Sequence, residues 1–207
     1  MSLSQPYLAL LAWTPLPPYE LPLEKQYRTP KDPNTPLPLP SIHDPASLDL
    51  SVIIPAFNET QRLPSMLSST VEHLMSSSQP PKRRTFEILI VDDGSSDGTA
   101  AMALKLAAQH HAEADIRVVR LESNRGKGGA VRHGMLHARG RRLLMADADG
   151  ASRFVDVELL LDALDALAPT ESDAAGVAIG SRAHLVKTEA VVKVRAIFRL
   201  DRTFEII

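Results

Sequence analysis

Apolar and polar residues alternate along the chain in a way that predicts strands and helices in turn. Five short apolar, β-branched runs are predicted strands, at 50–55, 86–91, 116–121, 142–146 and 175–180. Between them, apolar residues recur every three or four positions, which is the spacing of an amphipathic helix. The predicted helices cover 63–74, 99–110, 128–138 and 157–167.

This alternation predicts an α/β fold. A strand, a helix and a second strand in that order favour right-handed crossovers and a parallel sheet covered on both faces. We therefore expect a mostly parallel, Rossmann-like sheet flanked by helices. Ligands of such sheets bind beyond the carboxyl ends of the strands. Candidate chemistry is accordingly sought in the loops that follow each strand.

Proline divides the chain before the first predicted strand. Eleven of the 16 prolines precede Ala46. Proline lacks a backbone donor and restricts the residue before it, so this leader is predicted to be extended or disordered. The predicted organisation is an arm over 1–47, an α/β domain over 48–186 and a basic C-terminal segment over 187–207.

Composition excludes several classes of protein. The 207 residues include no cysteine, which excludes a disulfide framework and thiolate metal sites. The formal net charge of −2 provides no global field for nucleic acid, so no nucleic-acid partner is predicted. No apolar run approaches the roughly 20 residues that a membrane-spanning helix needs. Neither a signal peptide nor a membrane anchor is predicted in this chain.

Polar residues follow the first predicted strand. Pro55 and Ala56 end the strand and leave Asn58 and Glu59 on a polar loop. Taken alone, this loop is better interpreted as a strand terminator with a helix cap.

Two adjacent acids follow the second predicted strand. Asp92 and Asp93 leave an apolar run and enter a Gly/Ser-rich turn. Carboxylates accept hydrogen bonds from base N–H groups and ribose hydroxyls. A turn with a helix cap accounts for Ser96 and Asp97, but not for two acids at the end of a buried strand.

A glycine-rich segment opens the helix after the third strand. Its sequence is Asn124-Arg125-Gly126-Lys127-Gly128-Gly129-Ala130. Glycines let backbone N–H groups approach an anion, and a helix N-terminus favours negative charge. A Walker A motif is excluded because no Ser or Thr follows the lysine. A dinucleotide-binding motif is excluded because no GxGxxG follows the first strand. A plain glycine-rich turn stays open.

Two acids follow the fourth strand with one residue between them. In an extended segment Asp147 and Asp149 face the same side. Two neighbouring carboxylates repel each other unless a cation joins them, and hard divalent cations take carboxylate and phosphate oxygens. A polar turn with a solvated acid and an aspartate nucleophile are the alternatives.

The fifth strand is followed by Ser181, Arg182 and His184. The planar guanidinium of Arg182 suits a phosphate group, with a surface arginine as the alternative. We interpret His184 as a structural or merely polar residue.

These segments resemble the inverting family 2 glycosyltransferases, which have a GT-A fold. The resemblance is carried by 51–59, 91–99, 124–130 and the DxD triplet Asp147-Ala148-Asp149. Three more specific runs, 125–132, 144–151 and 180–185, are similar to the dolichyl-phosphate β-glucosyltransferases. That group transfers glucose from UDP-glucose to dolichyl phosphate for N-glycan assembly. The match covers about 50–193.

The resemblance implies roles for matching residues. Asp149, with Asp147, would bind Mg²⁺ or Mn²⁺ together with the diphosphate. The catalytic set would be Asp147, Asp149 and Arg182. The nucleotide-sugar site would comprise Pro55, Ala56, Asn58, Glu59, Asp92, Asp93, Arg125, Lys127, Gly128 and Asp147. The acceptor phosphate would lie near Ser181, Arg182, Arg195 and Arg199.

The chain departs from the family at both ends. The family usually has an N-terminal membrane anchor, whereas this chain has a proline-rich arm. The family also continues past Arg195 into apolar, membrane-associated helices, whereas residues 200–207 do not resemble it. The chain is therefore expected to be truncated. The resemblance implies the cytosolic face of the endoplasmic reticulum membrane. Two alternatives stay open: a polyprenyl-phosphate mannosyltransferase that uses GDP-mannose, and a nucleotide-sugar-binding fragment without turnover.

Overall fold

The computed structural model describes residues 21–77, 84–112, 114–167, 176–180 and 193–196. The strands are β1 (Gln26–Thr29), β2 (Asp32–Pro38), β3 (Leu48–Ala56), β4 (Phe86–Asp92), β5 (Asp115–Arg120), β6 (Gly140–Met145), β7 (Gly176–Ile179) and β8 (Lys193–Ala196). The helices are α1 (Leu63–Ser77), α2 (Thr99–Gln109), α3 (Gly126–Leu136) and α4 (Val157–Leu167). Short 3₁₀ turns cover Pro22–Lys25 and Phe154–Asp156.

Six of these strands form one sheet in the order β2-β1-β5-β4-β3-β6. The four central strands, β5, β4, β3 and β6, are parallel. Ile53 of β3 is paired with Leu89 of β4 on one side and with Met145 of β6 on the other. The chain therefore reverses its direction of travel across the sheet at β3. In sheets of this kind, ligands bind at the carboxyl ends of the strands beside such a reversal.

Both faces of three parallel strands, β5, β4 and β3, are buried, whereas β6 is only partly buried. Val52 and Ile54 belong to the core that also contains the buried faces of α1 and α2. Ile53 and Val91 belong to the core that contains Ala130 of α3. Successive residues of a strand point to opposite faces, so a nearly continuous apolar run is needed when both faces are covered. The predicted α/β class and mostly parallel sheet are confirmed.

Helix α3 packs unusually close to the sheet. A Cβ atom added at Gly134 would lie 2.6 Å from Cγ2 of Ile53 and 3.1 Å from Cγ2 of Val91. Glycine is therefore required there for the helix backbone to approach β3 and β4. The helix begins at Gly126, two residues before the predicted start.

Part of the proline-rich stretch extends the sheet. Strand β1 is antiparallel to β5, with Arg28 opposite Val118, and β2 lies outside β1 at the edge. An edge strand tolerates Pro33 and Pro36 because the missing N–H groups are not all needed for pairing. Within 1–47, residues 26–29 and 32–38 are thus extended strands, and they belong to the same sheet as the domain predicted to begin at 48. The domain limits themselves stay predictions.

The fifth predicted strand is paired differently from the others. Strand β7 is antiparallel to β8 in a separate two-stranded sheet, with Val177 opposite Arg195. The expectation that it continues the parallel sheet is wrong, because β8 supplies its partner from the C-terminal segment. Among the described residues, no helix has the length and apolar character needed to cross a membrane.

Candidate functional site

A cleft of about 370 Å³ opens at the carboxyl ends of the parallel strands. Loops that follow β3, β4, β5 and β6 contribute to its lining, so the topological reversal at β3 does coincide with a cavity. The lining residues are Pro55, Ala56, Phe57, Glu59, Asp93, Asn124, Gly126, Lys127, Ala130, Asp147, Ala148 and Asp149.

Asn58 joins the loop after β3 to the loop after β4. Its backbone N donates to Oγ of Ser95 at 2.9 Å, and its Oδ1 accepts from the backbone N of Ser96 at 3.1 Å. Its φ is +57°, a left-handed conformation that asparagine tolerates better than most residues. Asn58 is absent from the cleft lining, and its contacts are those of a residue that fixes two loops together.

Asp97 makes a second connection between the same loops. Its Oδ2 accepts from Oγ1 of Thr60 at 2.9 Å, and its Oδ1 accepts from Oγ1 of Thr99 at 2.6 Å. The hydrogen bond from Thr99 is the main cause that holds the pKa of Asp97 below its ordinary value. Oγ1 of Thr99 in turn accepts from the backbone N of Glu59 at 2.8 Å. The position of Glu59 is therefore set by the loop after β4.

Glu59 brings an unsatisfied acceptor to the wall of the cleft. Its side chain is 12 % exposed, and its Oε1 accepts from Nη2 of Arg62 at 2.6 Å. Its Oε2 is buried and has no hydrogen-bond partner among the described residues. A buried acceptor without a donor costs about 1–3 kcal/mol, so such an atom suits a donor supplied by a ligand.

Asp92 and Asp93 are adjacent but have different surroundings. Asp92 is fully buried, lies outside the lining, and its Oδ2 is 3.6 Å from Nε of Arg120. Asp93 lines the cleft, and its Oδ1 accepts from the backbone N of Arg125 at 2.7 Å. Burial raises the pKa of both carboxyl groups. Of the two predicted acids, only Asp93 faces the cleft.

The side chain of Arg125 is directed to an acid in the proline-rich stretch. Its Nη2 lies 2.5 Å from Oε2 of Glu24, which is fully buried, and Arg125 itself is 12 % exposed. Arg125 is absent from the lining, and Gly128 is absent too. Sequence analysis missed Glu24 because it lies 101 positions away, in a stretch predicted to be an arm.

The N-terminus of α3 brings a lysine, Lys127, into the cleft. Gly126 has a φ of +74°, which a residue with a side chain adopts only with strain. Nζ of Lys127 is 2.5 Å from Oδ1 of Asp147, and these side chains are 57 % and 30 % exposed. The ion pair links the loop after β5 to the loop after β6, with both groups open to a ligand.

The pair Asp147 and Asp149 meets the chemical requirement for a hard divalent cation. Both carboxylates line the cleft, and Oδ1 of Asp149 accepts from the backbone N of Ala151 at 2.9 Å. No group of three or more His, Cys, Asp or Glu side chains within the described ranges is arranged to hold a metal. Two carboxylates suit a cation that takes its other ligands from substrate phosphates and water, as Mg²⁺ does.

Several predicted site residues cannot be placed in this cleft. Ser181, Arg182 and Arg199 lie outside the described residues, and only the backbone of Arg195, in β8, is described. The cleft also contains lining residues that were not singled out from the sequence. Phe57, which is half-exposed, adjoins a predicted residue, and Asn124 and Gly126 lie inside the quoted glycine-rich segment.

A model of glycosyl transferase family 2 matches residues 51–184. The chain is also similar to curated proteins named dolichyl-phosphate beta-glucosyltransferase. The Drosophila melanogaster protein is 52 % identical over 160 residues, which are 77 % of this chain and 48 % of that protein. The Saccharomyces cerevisiae protein is 42 % identical over 193 residues, which are 89 % and 57 %. The human protein is 44 % identical over 161 residues, which are 78 % and 48 %. The chain thus spans about half the length of these relatives.

Solved structures show weaker likeness. The mannosyltransferase PcManGT from Pyrobaculum calidifontis, in complex with GDP-Man and Mn²⁺, is 27 % identical with a TM-score of 0.47, covering 65 % of this chain and 37 % of that one. A glucosyl-3-phosphoglycerate synthase from Mycobacterium tuberculosis, in complex with Mn²⁺, UDP-Glc and phosphoglyceric acid, is 23 % identical with a TM-score of 0.42, covering 62 % and 48 %. Both scores are too low to support an argument about fold or ligand.

Proposed function

The chain belongs to glycosyl transferase family 2, and from this we propose that it is the nucleotide-sugar-binding part of a dolichyl-phosphate β-glucosyltransferase. Such an enzyme transfers glucose from UDP-glucose to dolichyl phosphate with inversion at the anomeric carbon. Relatives that carry this name are 42–52 % identical to the chain. Because the chain spans about half their length, the activity, both substrates and the membrane association of a whole protein are part of the proposal.

One observation carries the proposal. A single cleft at the carboxyl ends of the strands is lined by four acidic residues and one lysine: Glu59, Asp93, Asp147, Asp149 and Lys127. A nucleotide sugar offers donors on its base and ribose and negative charge on its diphosphate. The two kinds of group in the cleft are complementary to these two parts of the donor.

We assign the nucleoside to the side of the cleft formed by the loops after β3 and β4. Oε2 of Glu59 is a buried acceptor without a protein donor, and the carboxylate of Asp93 lies in the same lining. These acceptors suit the N–H of uracil and the hydroxyls of ribose. Pro55 and Ala56 would pack against the nucleoside at the end of β3. Asn58 and Asp92 would hold the loops in place without contacting it.

We assign the diphosphate to the N-terminus of α3 and the loop after β6. Lys127 and the positive end of the helix favour a bound anion. Asp147 and Asp149 would hold Mg²⁺ or Mn²⁺. When bound, that cation would neutralise negative charge that develops on the departing diphosphate. Lys127 would exchange its contact with Asp147 for a contact with a phosphate oxygen as the donor binds.

The proposed transfer needs no side-chain base. An oxygen of the acceptor phosphate forms a bond to the anomeric carbon, the bond from that carbon to UDP breaks, and its electron pair leaves with UDP. The second pKa of a phosphate monoester is about 6, so the acceptor is largely dianionic at neutral pH. The task left to the chain is to bind both substrates and to stabilise the leaving group.

The acceptor side of the proposal falls on the C-terminal part of the chain. Ser181, Arg182, Arg195 and Arg199 would contact the acceptor phosphate, by their match to the family's motifs. From Lys187 to Arg202 the chain carries five basic residues against two acids, which suits an anionic headgroup. We place the protein at the cytosolic face of the endoplasmic reticulum membrane, where the proposed acceptor would be met.

Calorimetric titration of this chain with UDP-glucose and GDP-mannose, in Mg²⁺ and in EDTA, tests the proposal. Metal-dependent binding of UDP-glucose, without binding of GDP-mannose, supports it. Preference for GDP-mannose would identify GDP-mannose as the donor in place of UDP-glucose. Binding of neither would overturn the proposed nucleotide-sugar site. Incubation with dolichyl phosphate in detergent then separates an enzyme from a binding fragment. Binding without formation of the glucosylated lipid would identify the fragment.

A further inference from the structure

We propose that Glu24, in the proline-rich stretch, is a positioning residue for the loop between β5 and α3, and that this stretch therefore supports the binding site from outside the cleft. The proposal rests on the proposed function only in assuming that the cleft binds a nucleotide sugar. Glu24 does not line the cleft. It acts, in this proposal, through the residues that do.

The carboxylate of Glu24 holds the loop at two points. Its Oε1 accepts from the backbone N of Glu122 at 3.1 Å, and its Oε2 accepts from Nη2 of Arg125 at 2.5 Å. Asn124, which lines the cleft, lies between these two points. A carboxylate is well suited to this task because its two oxygens accept several donors at once.

The loop passes this constraint on to the cleft. The backbone N of Arg125 donates to Oδ1 of Asp93 at 2.7 Å, and Asp93 lines the cleft. The next two residues, Gly126 and Lys127, line it as well. A shift of Arg125 would therefore move a carboxylate, a lysine and the start of α3 together.

Glu24 is itself held firmly by the fold. It is fully buried in the 3₁₀ turn that precedes β1, and β1 is paired with β5. Its backbone O accepts from Nε2 of His133 in α3 at 2.8 Å. The backbone O of Lys25 accepts from the N of Leu39 at 2.9 Å. The turn is thus fixed to the sheet and to α3, so it can hold the loop in one position.

The ion pair between Arg125 and Glu24 neutralises the charge of the arginine inside the protein. Arg125 is a cation beside a proposed diphosphate site, yet Glu24 compensates its charge inside the protein. Arg125 then orders the loop, and the more exposed Lys127 is left to meet the ligand. Removing the carboxylate would take its nearest acidic partner from a largely buried guanidinium, and the loop would rearrange in response.

The test compares Glu24→Gln with a matched control, Glu87→Gln, in the full chain. Glu87 is an equally buried acid that pairs with Arg139 at the amino ends of the parallel strands, away from the cleft. We expect both variants to lose stability, but only Glu24→Gln to speed amide hydrogen exchange in the peptide that covers 122–127. We also expect the affinity for UDP-glucose in Mg²⁺ to fall about tenfold in Glu24→Gln and to stay unchanged in Glu87→Gln.

Glu24→Asp provides a milder variant in case Glu24→Gln does not fold. It keeps the charge but shortens the reach, so exchange at 122–127 should increase by less than in Glu24→Gln. Unchanged exchange at 122–127 in a folded Glu24 variant would overturn the proposal, as would an equal increase in Glu87→Gln. The exchange measurement needs no nucleotide. A wild-type chain that binds no UDP-glucose would therefore refute the proposed function, while the role of Glu24 in holding the loop would still be decided.

Discussion

The two ends of the parallel strands both carry charged residues, but their hydrogen bonding differs. At the amino ends, Oε1 of the buried Glu87 accepts from Oγ of Ser51 at 2.6 Å and from the N of Arg139 at 2.7 Å. Its Oε2 accepts from Nε of Arg139 at 2.9 Å. At the carboxyl ends, Oε2 of Glu59 has no partner among the described residues, and Asp149 is exposed in the cleft.

The same residue types thus form a closed network at the amino ends of the strands, here called the amino edge, and an open set at their carboxyl ends, the carboxyl edge. A closed network satisfies its own donors and acceptors, so it contributes to stability and offers little to a ligand. An open set leaves acceptors that are available to a ligand. Substitutions at the amino edge should therefore change stability and leave binding unaffected, whereas substitutions at the carboxyl edge should do the reverse.

The largest expected effect is a loss of stability in Glu87→Gln. The amide places an N–H group against the donors of Arg139 and leaves that arginine without its buried partner. Breaking a buried pair in this way costs about 3 kcal/mol or more, and urea unfolding followed by circular dichroism measures it. The affinity for UDP-glucose should stay unchanged at concentrations of urea where the protein is folded. A loss of affinity as large as the loss of stability would contradict the contrast between the edges.

Asp149→Asn should affect function and leave stability intact. Asp149 is exposed, so an amide costs the fold little, but it removes a proposed cation ligand. Turnover should fall on the order of 10²- to 10³-fold, the effect typical of removing one group that stabilises the leaving charge. The metal-dependent part of UDP-glucose binding should disappear with it. Asp115→Asn, the same change at the amino edge, is the control and should leave both readouts at their wild-type values.

Lys127→Met should produce a smaller effect that separates the nucleotide from the cation. Loss of one charged donor to the diphosphate should weaken UDP-glucose binding about tenfold. Binding of Mn²⁺ alone, measured by paramagnetic resonance, should not weaken, because Asp147 loses a competing cation. Lys105→Met, on the exposed face of α2, is the matched control. Equal losses in both lysine variants would mean that net charge, rather than position, governs the affinity.

Much of the fold was predictable from local patterns. The apolar runs identified all four parallel strands. Three of them, β3, β4 and β5, are buried on both faces and are therefore apolar almost throughout. The predicted GT-A class is confirmed by the family match and the mostly parallel sheet. Of the ten residues predicted for the nucleotide-sugar site, six line the cleft and four do not. Asn58, Asp92, Arg125 and Gly128 lie outside the lining, whereas those at 55, 56, 59, 93, 127 and 147 lie within it.

What the sequence did not reveal depends on contacts between distant segments. The sequence placed Asp92 and Asp93 together at a strand end, but only the folded structure shows that Asp92 is buried beside Arg120 and that Asp93 lines the cleft. Glu24 carried no signal, because its partners at Glu122 and Arg125 come close only after β1 pairs with β5. Similarly, the antiparallel pairing of β7 required a partner from the C-terminal segment.

The smallest expected effect concerns pH and a closed contact at the amino edge. Nη1 of Arg84 donates to Oε1 of Glu158 at 2.9 Å, and this contact is the main cause that holds the pKa of Glu158 below its ordinary value of 4.5. A lowered pKa in the folded state means that the contribution to stability is present above pH 4.5 and is lost as pH falls through the folded value. Because Glu158 is partly exposed, the contribution should be below about 1 kcal/mol.

Glu158→Gln should therefore lower the free energy of unfolding slightly at pH 7 and make its decline below pH 4.5 less steep. Urea titrations at a series of pH values measure both changes. The affinity for UDP-glucose at pH 7 should not change, because Glu158 pairs with Arg84 beside the start of β4, at the edge opposite the cleft. An unaltered pH profile would show that the contact contributes nothing measurable. A change in affinity would show that charges at the two edges are coupled, which the closed hydrogen bonding of the amino edge argues against.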